Sequence, residues 1–165
     1  MQTRTERIQK DIETLAQFTS TPGKGVTRSS YSKEDTMAKD YLTGEMKKIG
    51  LEIYEDGFGT LFGRREGTMK DAPVVMLGSH YDSVVNGGAF DGVAGSVSAL
   101  EVMRVLTEEG FVNDYPLELI LMNAEEGATF GPSTGVSNSR AMLGTMTQRE
   151  LETVKNRFGQ TKLEA

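Results

Sequence analysis

Apolar residues return every three or four positions near the start of the chain. Ile8, Ile12, Leu15 and Phe18 fall on one side of residues 5–18, which predicts an amphipathic helix. A loop rich in Ser, Thr and Gly follows, TSTPGKGVTRSSYS. Ser32, with Asp35 three residues on, is a capping signal. Met37, Tyr41, Leu42, Met46 and Ile49 then give a second helix its apolar face, and Gly50 stops it in the position where glycine tolerates a left-handed turn. The period changes to two in LEIYEDGFGTLFGR, so two short strands are expected around a turn at Asp56-Gly57.

Residues 68–72 read as a polar connection. Pro73 opens a continuous apolar run, Val74-Val75-Met76-Leu77, the pattern of a strand covered on both faces. Helical spacing returns over 92–109, where Val93, Val97, Leu100, Met103 and Leu106 form a stripe. Pro116 opens a second buried strand, LELILMN. Beyond a loop over 127–138, SRAMLGTM reads as a short helix, and Thr147 with Glu150 as a capping box for a helix over 147–155. The last four residues, Lys162 to Ala165, carry no stop signal, so a helix is expected to begin there. Strand, helix, strand in the centre predicts an α/β fold. The expected architecture is three-layer α/β/α with a largely parallel central sheet, in a single domain over 1–165.

Composition narrows the chemistry. With 18 Lys plus Arg against 24 Asp plus Glu, the net charge is −6, a poor match for nucleic-acid phosphate. No stretch has the apolar length of a membrane span, and the N-terminus, MQTRTERIQKDIETL, has no apolar signal core. The expectation is a cytoplasmic protein with neither nucleic-acid nor membrane partners. Cysteine is absent, which removes thiol catalysis and Cys-ligated zinc. Histidine occurs once, at His80, so a metal site would combine one imidazole with oxygen donors.

In open α/β sheets, sites form at the carboxyl ends of strands. His80 sits at one such end, with Asp82 two residues on, and a metal-bound imidazole needs its second nitrogen held by an acceptor. Taken alone, a histidine there reads more readily as a hydrogen-bonded structural residue. Asp91 opens the 92–109 helix and reads either as its N-cap or as a carboxylate ligand. Glu125 and Glu126 end the second buried strand. Two buried carboxylates without partners are costly, and a divalent cation would neutralise at least one. Neighbours on an extended chain point apart, so one Glu could ligate while the other acts as a base. No dinucleotide fingerprint, P-loop or G-x-S-x-G elbow is present.

The segments GVTR at 25–28, GSHYDSVVNGGAFDGVAG at 78–95, EEGATFG at 125–131 and SRAMLGT at 139–145 resemble the N-terminal part of the M20-type metallopeptidase family. The similar branch is the amidohydrolases: N-carbamoyl-L-amino-acid hydrolases, allantoate amidohydrolases and β-ureidopropionases. The resemblance implies a di-metal catalytic domain with two divalent ions (zinc, or manganese, cobalt or nickel). It implies His80 on one metal, Asp91 bridging both, Glu126 on the other, Asp82 behind His80, and Glu125 as general base. The reaction it implies is hydrolysis of a C–N bond in a small ureido or linear amide substrate, carbamoylated amino acids ahead of allantoate.

Family members are longer, with further histidine ligands and a lid domain that binds substrate and forms a homodimer. The expectation is therefore an N-terminal fragment, inactive alone. The alternative is a non-catalytic remnant or weak metal-binding domain. Thr129 stands where the family's common EEGxRFG form has Arg.

Overall fold

The computed structural model describes residues 2–69, 71–131 and 136–165. Lys70, in the expected 68–72 connection, and residues 132–135 of the 127–138 loop lie outside that set. Helix α1, Thr5–Ala16, buries Asp11, Ile12 and Leu15. Helix α2, Lys33–Lys48, starts as the sequence predicts: the Ser32 hydroxyl accepts the Asp35 amide N–H at 3.2 Å. Gly50 follows it at φ 74°. Strands β1, Glu52–Glu55, and β2, Leu61–Arg65, flank a turn in which Asp56 Oδ1 accepts the amides of Phe58 and Thr60, both at 2.9 Å. Strand β3, Val75–His80, helix α3, Val93–Glu108, and strand β4, Leu117–Met122, form the central βαβ unit. Short helices α4, Ser137–Met142, and α5, Gln148–Thr153, follow, the second capped by Thr147.

The sheet order is β1-β2-β4-β3. Only β3 and β4 are parallel, joined by the α3 crossover; β1–β2 and β2–β4 are antiparallel. The expected largely parallel sheet is thus corrected to a mixed one. The physical reason is the hairpin: β2 returns beside β1 and docks on β4 with Leu61 opposite Leu121 and Gly63 opposite Leu119.

The core lies on one face of this sheet. Leu61, Leu119 and Leu121 share a buried cluster with Ile12 and Leu15 of α1, Leu42 and Met46 of α2, and Val97, Leu100 and Met103 of α3. Gly63 leaves room for α2, since a Cβ there would meet Met46 Sδ and Leu51. The other face carries Tyr54 stacked on Phe62 at 4.6 Å and an Arg64–Glu118 ion pair at 2.8 Å. Because α1, α2 and α3 all join the same face, the described residues assemble two layers rather than the expected three. Strand β3 is correspondingly an edge strand. Val75 and Met76 are about half exposed, against the expectation of a strand covered on both sides.

The expected helix at 162–165 does not form. Those residues turn back, because the buried Lys162 Nζ reaches Glu150 Oε1 at 2.6 Å and Ser137 Oγ at 3.2 Å. Arg140 grips the same carboxylate with two guanidinium nitrogens, at 2.8 and 2.6 Å. Among the described residues no helix is long and apolar enough to cross a membrane.

Candidate metal centre

His80 is the last residue of β3, and its carbonyl accepts the Ser96 hydroxyl of α3 at 2.8 Å. Its Nδ1 lies 3.1 Å from the Asp82 carbonyl oxygen and 3.5 Å from Asp82 Oδ1. Acceptors on that side hold a ring proton at Nδ1, so Nε2 is the nitrogen that a cation would take in place of a proton. Nε2 faces Asp91 Oδ1 and Glu125 Oε2, each at 3.7 Å. Ligand atoms of His80, Asp91 and Glu126 all lie within 4.8 Å of one another.

Asp82 ties the two strand ends together. It is almost fully buried and accepts the Glu125 amide at Oδ1, 3.2 Å, and the Glu126 amide at Oδ2, 3.1 Å. The Ser30 hydroxyl donates to Oδ2 at 3.2 Å. The sequence expectation that Glu125 and Glu126 sit on an extended chain is corrected here. Strand β4 stops at Met122 and Ala124 turns to φ 55°, which folds both amides onto Asp82. Glu125 nonetheless stays outside the three-residue donor group, while its carboxylate faces His80.

Asp91 is not the N-cap of α3. Gly92 holds that position at φ 64°, with no side-chain cap, and the Asp91 carboxylate stays exposed next to His80. The N-cap reading gives way because a side chain at residue 92 would run into the imidazole, so only glycine can start the helix there. The GVTR segment supports the other side of the site. The buried Arg28 guanidinium donates to the Tyr81 carbonyl at 2.6 Å and to the Leu15 carbonyl at 2.7 Å, and Val26 and Gly87 exchange backbone hydrogen bonds at 2.9 and 2.8 Å.

The electrostatics favour a cation. Burial opposes protonation of His80, but hydrogen bonding and charge from Asp82, with the charge of Glu125, outweigh it and raise the imidazole pKa to about 9. The Glu126 carboxyl is pushed up by burial first and then by Asp91. One imidazole and two crowded carboxylates that repel each other are a donor set suited to a divalent ion with nitrogen and oxygen preference. Sequence reasoning missed Ser30, hidden in a run of hydroxyl residues, and the job of Gly92 behind the imidazole.

The model of peptidase family M28 matches residues 60–156. N-carbamoyl-L-amino-acid amidohydrolase of Paenarthrobacter aurescens is 46% identical over 93% of this chain, which covers 37% of that protein. Allantoate amidohydrolase of Bacillus subtilis is 35% identical over 90% of the chain, covering 35% of its own length. The crystal structure of a hydantoinase/carbamoylase family amidase from Burkholderia ambifaria superposes with a TM-score of 0.88 at 32% identity, over 96% of this chain and 38% of that one. The chain therefore spans little more than a third of the length of these relatives. With the family model matched over more than half of its residues, the chain belongs to peptidase family M28, and it is similar to part of the N-carbamoyl-L-amino-acid and allantoate amidohydrolases.

Proposed function

We propose that this chain carries one half of the catalytic centre of a metal-dependent amidohydrolase acting on an N-carbamoyl amino acid, with allantoate as the alternative substrate. The observation that carries the reading is the gathering of His80, Asp91 and Glu126 around one point, with Glu125 beside them and Asp82 behind. His80, Asp91 and Glu126 would hold the divalent ion, which when bound supplies Lewis acidity toward a carbamoyl oxygen and lowers the pKa of water.

Glu125 has the position of a general base. Its carboxylate is part-exposed and lies outside the donor group, so it can take a proton from the attacking water. The same oxygen then returns that proton to the leaving nitrogen as the C–N bond breaks. Asp82 fixes the His80 ring through Nδ1 and orients both glutamates through their amides. Residues 1–165 are read as one catalytic-domain unit.

The second reading, a metal-binding domain without turnover, is favoured by the single histidine. One experiment separates them. The purified chain is loaded with zinc or manganese, metal is quantified, and ammonia release is followed from N-carbamoyl amino acids and allantoate. Metal binding that is lost in His80→Ala and Glu126→Gln supports the centre. With three donors and one imidazole, turnover of the 165-residue polypeptide should lie far below the usual range of about 1–10³ per second. Failure of the wild-type chain to bind either metal would defeat the proposal.

A further inference from the structure

The loop over residues 27–31 reaches the candidate centre through one side chain that the motifs do not single out. Ser30 is fully buried. Its hydroxyl lies 3.2 Å from Asp82 Oδ2 and 2.9 Å from the Ala124 amide nitrogen. Its own amide donates to Thr129 Oγ1 at 3.0 Å. The direction of each bond follows from the partners. An ionised carboxylate only accepts, so the single hydroxyl proton goes to Asp82, and a lone pair receives the Ala124 N–H.

Ser30 therefore joins three segments at one oxygen: its own loop, the turn after β3, and the exit of β4. Asp82 Oδ2 is shared between Ser30 and the Glu126 amide, whereas Oδ1 takes the Glu125 amide and lies near His80 Nδ1. Rotation of the carboxylate would swing it away from the imidazole and release the two glutamates together. We propose that Ser30 is a positioning residue of the metal centre: its hydroxyl locks the Asp82 carboxylate to the β4 exit and so sets the bearing of His80 and Glu126 on the cation. The inference rests on the reading of His80, Asp91 and Glu126 as metal ligands.

The surroundings make the idea separable from a general packing role. Without the hydroxyl the Ala124 amide keeps the Asn123 Oδ1 acceptor at 2.9 Å, and the two glutamate amides still have the Asp82 carboxylate within reach, though its rotation is no longer fixed. No buried donor is orphaned, so Ser30→Ala should fold. The adjacent Ser29 supplies an internal control. It is equally buried, but its hydroxyl has no hydrogen-bond partner among the described residues. Thr129→Val keeps its shape while removing the acceptor of the Ser30 amide.

The test uses the 165-residue chain and zinc alone as probe. His80 is the sole histidine in the sequence, so its ring nitrogen resonances report on the centre without assignment ambiguity. Zinc titrations of wild type, Ser29→Ala, Ser30→Ala and Thr129→Val are followed by NMR, with urea unfolding of each metal-free protein alongside. Ser30→Ala should bind zinc about 10-fold more weakly, the lower end of the effect of removing a group that orients ligands. Its metal-free His80 signals should move while its urea midpoint stays close to wild type. Thr129→Val should show a smaller loss of affinity, and Ser29→Ala none.

Equal zinc affinity in Ser30→Ala and wild type overturns the proposal. So does a loss fully explained by the unfolded fraction, or one matched by Ser29→Ala. If zinc leaves the wild-type His80 signals unmoved, the metal reading itself falls and this inference with it, a result plainly different from the others.

Discussion

Gly92 stands with its Cα directly against the His80 imidazole, at φ 64°, where any Cβ would overlap three atoms of the ring. The first turn of α3 and the end of β3 are thus fitted to one another, and the position of the imidazole depends on the absence of a side chain one residue beyond Asp91.

Gly92→Ala should therefore affect both stability and the site. A non-glycine residue at positive φ costs about 1–3 kcal/mol, and the overlap must in addition push the ring or the helix aside. The expected outcome is a lower urea midpoint and loss of zinc uptake. Zinc binding retained at wild-type affinity would show that His80 does not need the space Gly92 leaves.

The metal-free protein should lose stability as pH rises from about 6.5 to about 9. His80 binds its proton more tightly folded than unfolded, because Asp82 and Glu125 outweigh burial, so its contribution is complete below the unfolded pKa of 6.5 and gone above the folded value of about 9. The ceiling is about 3 kcal/mol for a shift of that size. Zinc affinity should rise over the same window, since proton and cation compete for Nε2. Asp82→Asn should flatten the stability slope; urea titrations at several pH values check it. An unchanged slope in the variant would remove Asp82 as the cause.

Much of this arrangement is legible from local chemistry. The Ser32 and Thr147 caps, the Gly50 stop and the turn after Asp56 each depend on residues a few positions apart, and each forms as the pattern predicts. The motif residues His80, Asp82, Asp91, Glu125 and Glu126 do meet, because β3 and β4 are parallel neighbours and deliver their ends side by side. What stayed hidden is non-local or steric. The pairing of β2 with β4 spans some sixty residues and leaves no mark on either strand's own pattern. At residues 91–92 the rule that favours Asp as N-cap lost to the volume of a ring from another element. Ser30 looks like its neighbours, and only the fold tells it from Ser29.

Asp35 gives a prediction of the same sign as His80, in a lower pH window. Burial outweighs its bond from the Tyr31 amide and raises its carboxyl pKa to about 6. One of its oxygens, Oδ1, has no partner among the described residues. An acid whose folded pKa is raised binds more protons folded than unfolded, so stability falls as pH rises from about 3.8 to about 6. Asp35→Asn removes the charge while keeping an acceptor for Tyr31. It should raise stability at pH 7, by at most about 3 kcal/mol, and have little effect at pH 4. A variant less stable than wild type at pH 7 would contradict the assignment.

The helices above the sheet depend on Arg104 in a way that can be tested against simple charge loss. Its guanidinium is buried and lies 2.5 Å from both Asp11 Oδ2 of α1 and Glu45 Oε2 of α2, with Glu101 at 3.8 Å. Asp11 and Glu101 are also buried, but their other support differs. Glu101 has Arg7 at 2.6 Å and the Arg4 amide at 2.9 Å, whereas Asp11 has the Tyr41 hydroxyl at 2.6 Å and no second cation on its carboxylate among the described residues. Arg104→Met keeps the volume and strands the Asp11 charge, which should destabilise by about 3–5 kcal/mol. Adding Asp11→Asn to that variant removes the stranded charge while leaving an acceptor for Tyr41, so it should restore much of the loss. Urea unfolding of the four proteins in that cycle gives the coupling between the two residues. If Asp11→Asn fails to relieve Arg104→Met, the cost comes from lost packing of the long side chain rather than from a buried carboxylate left without its cation.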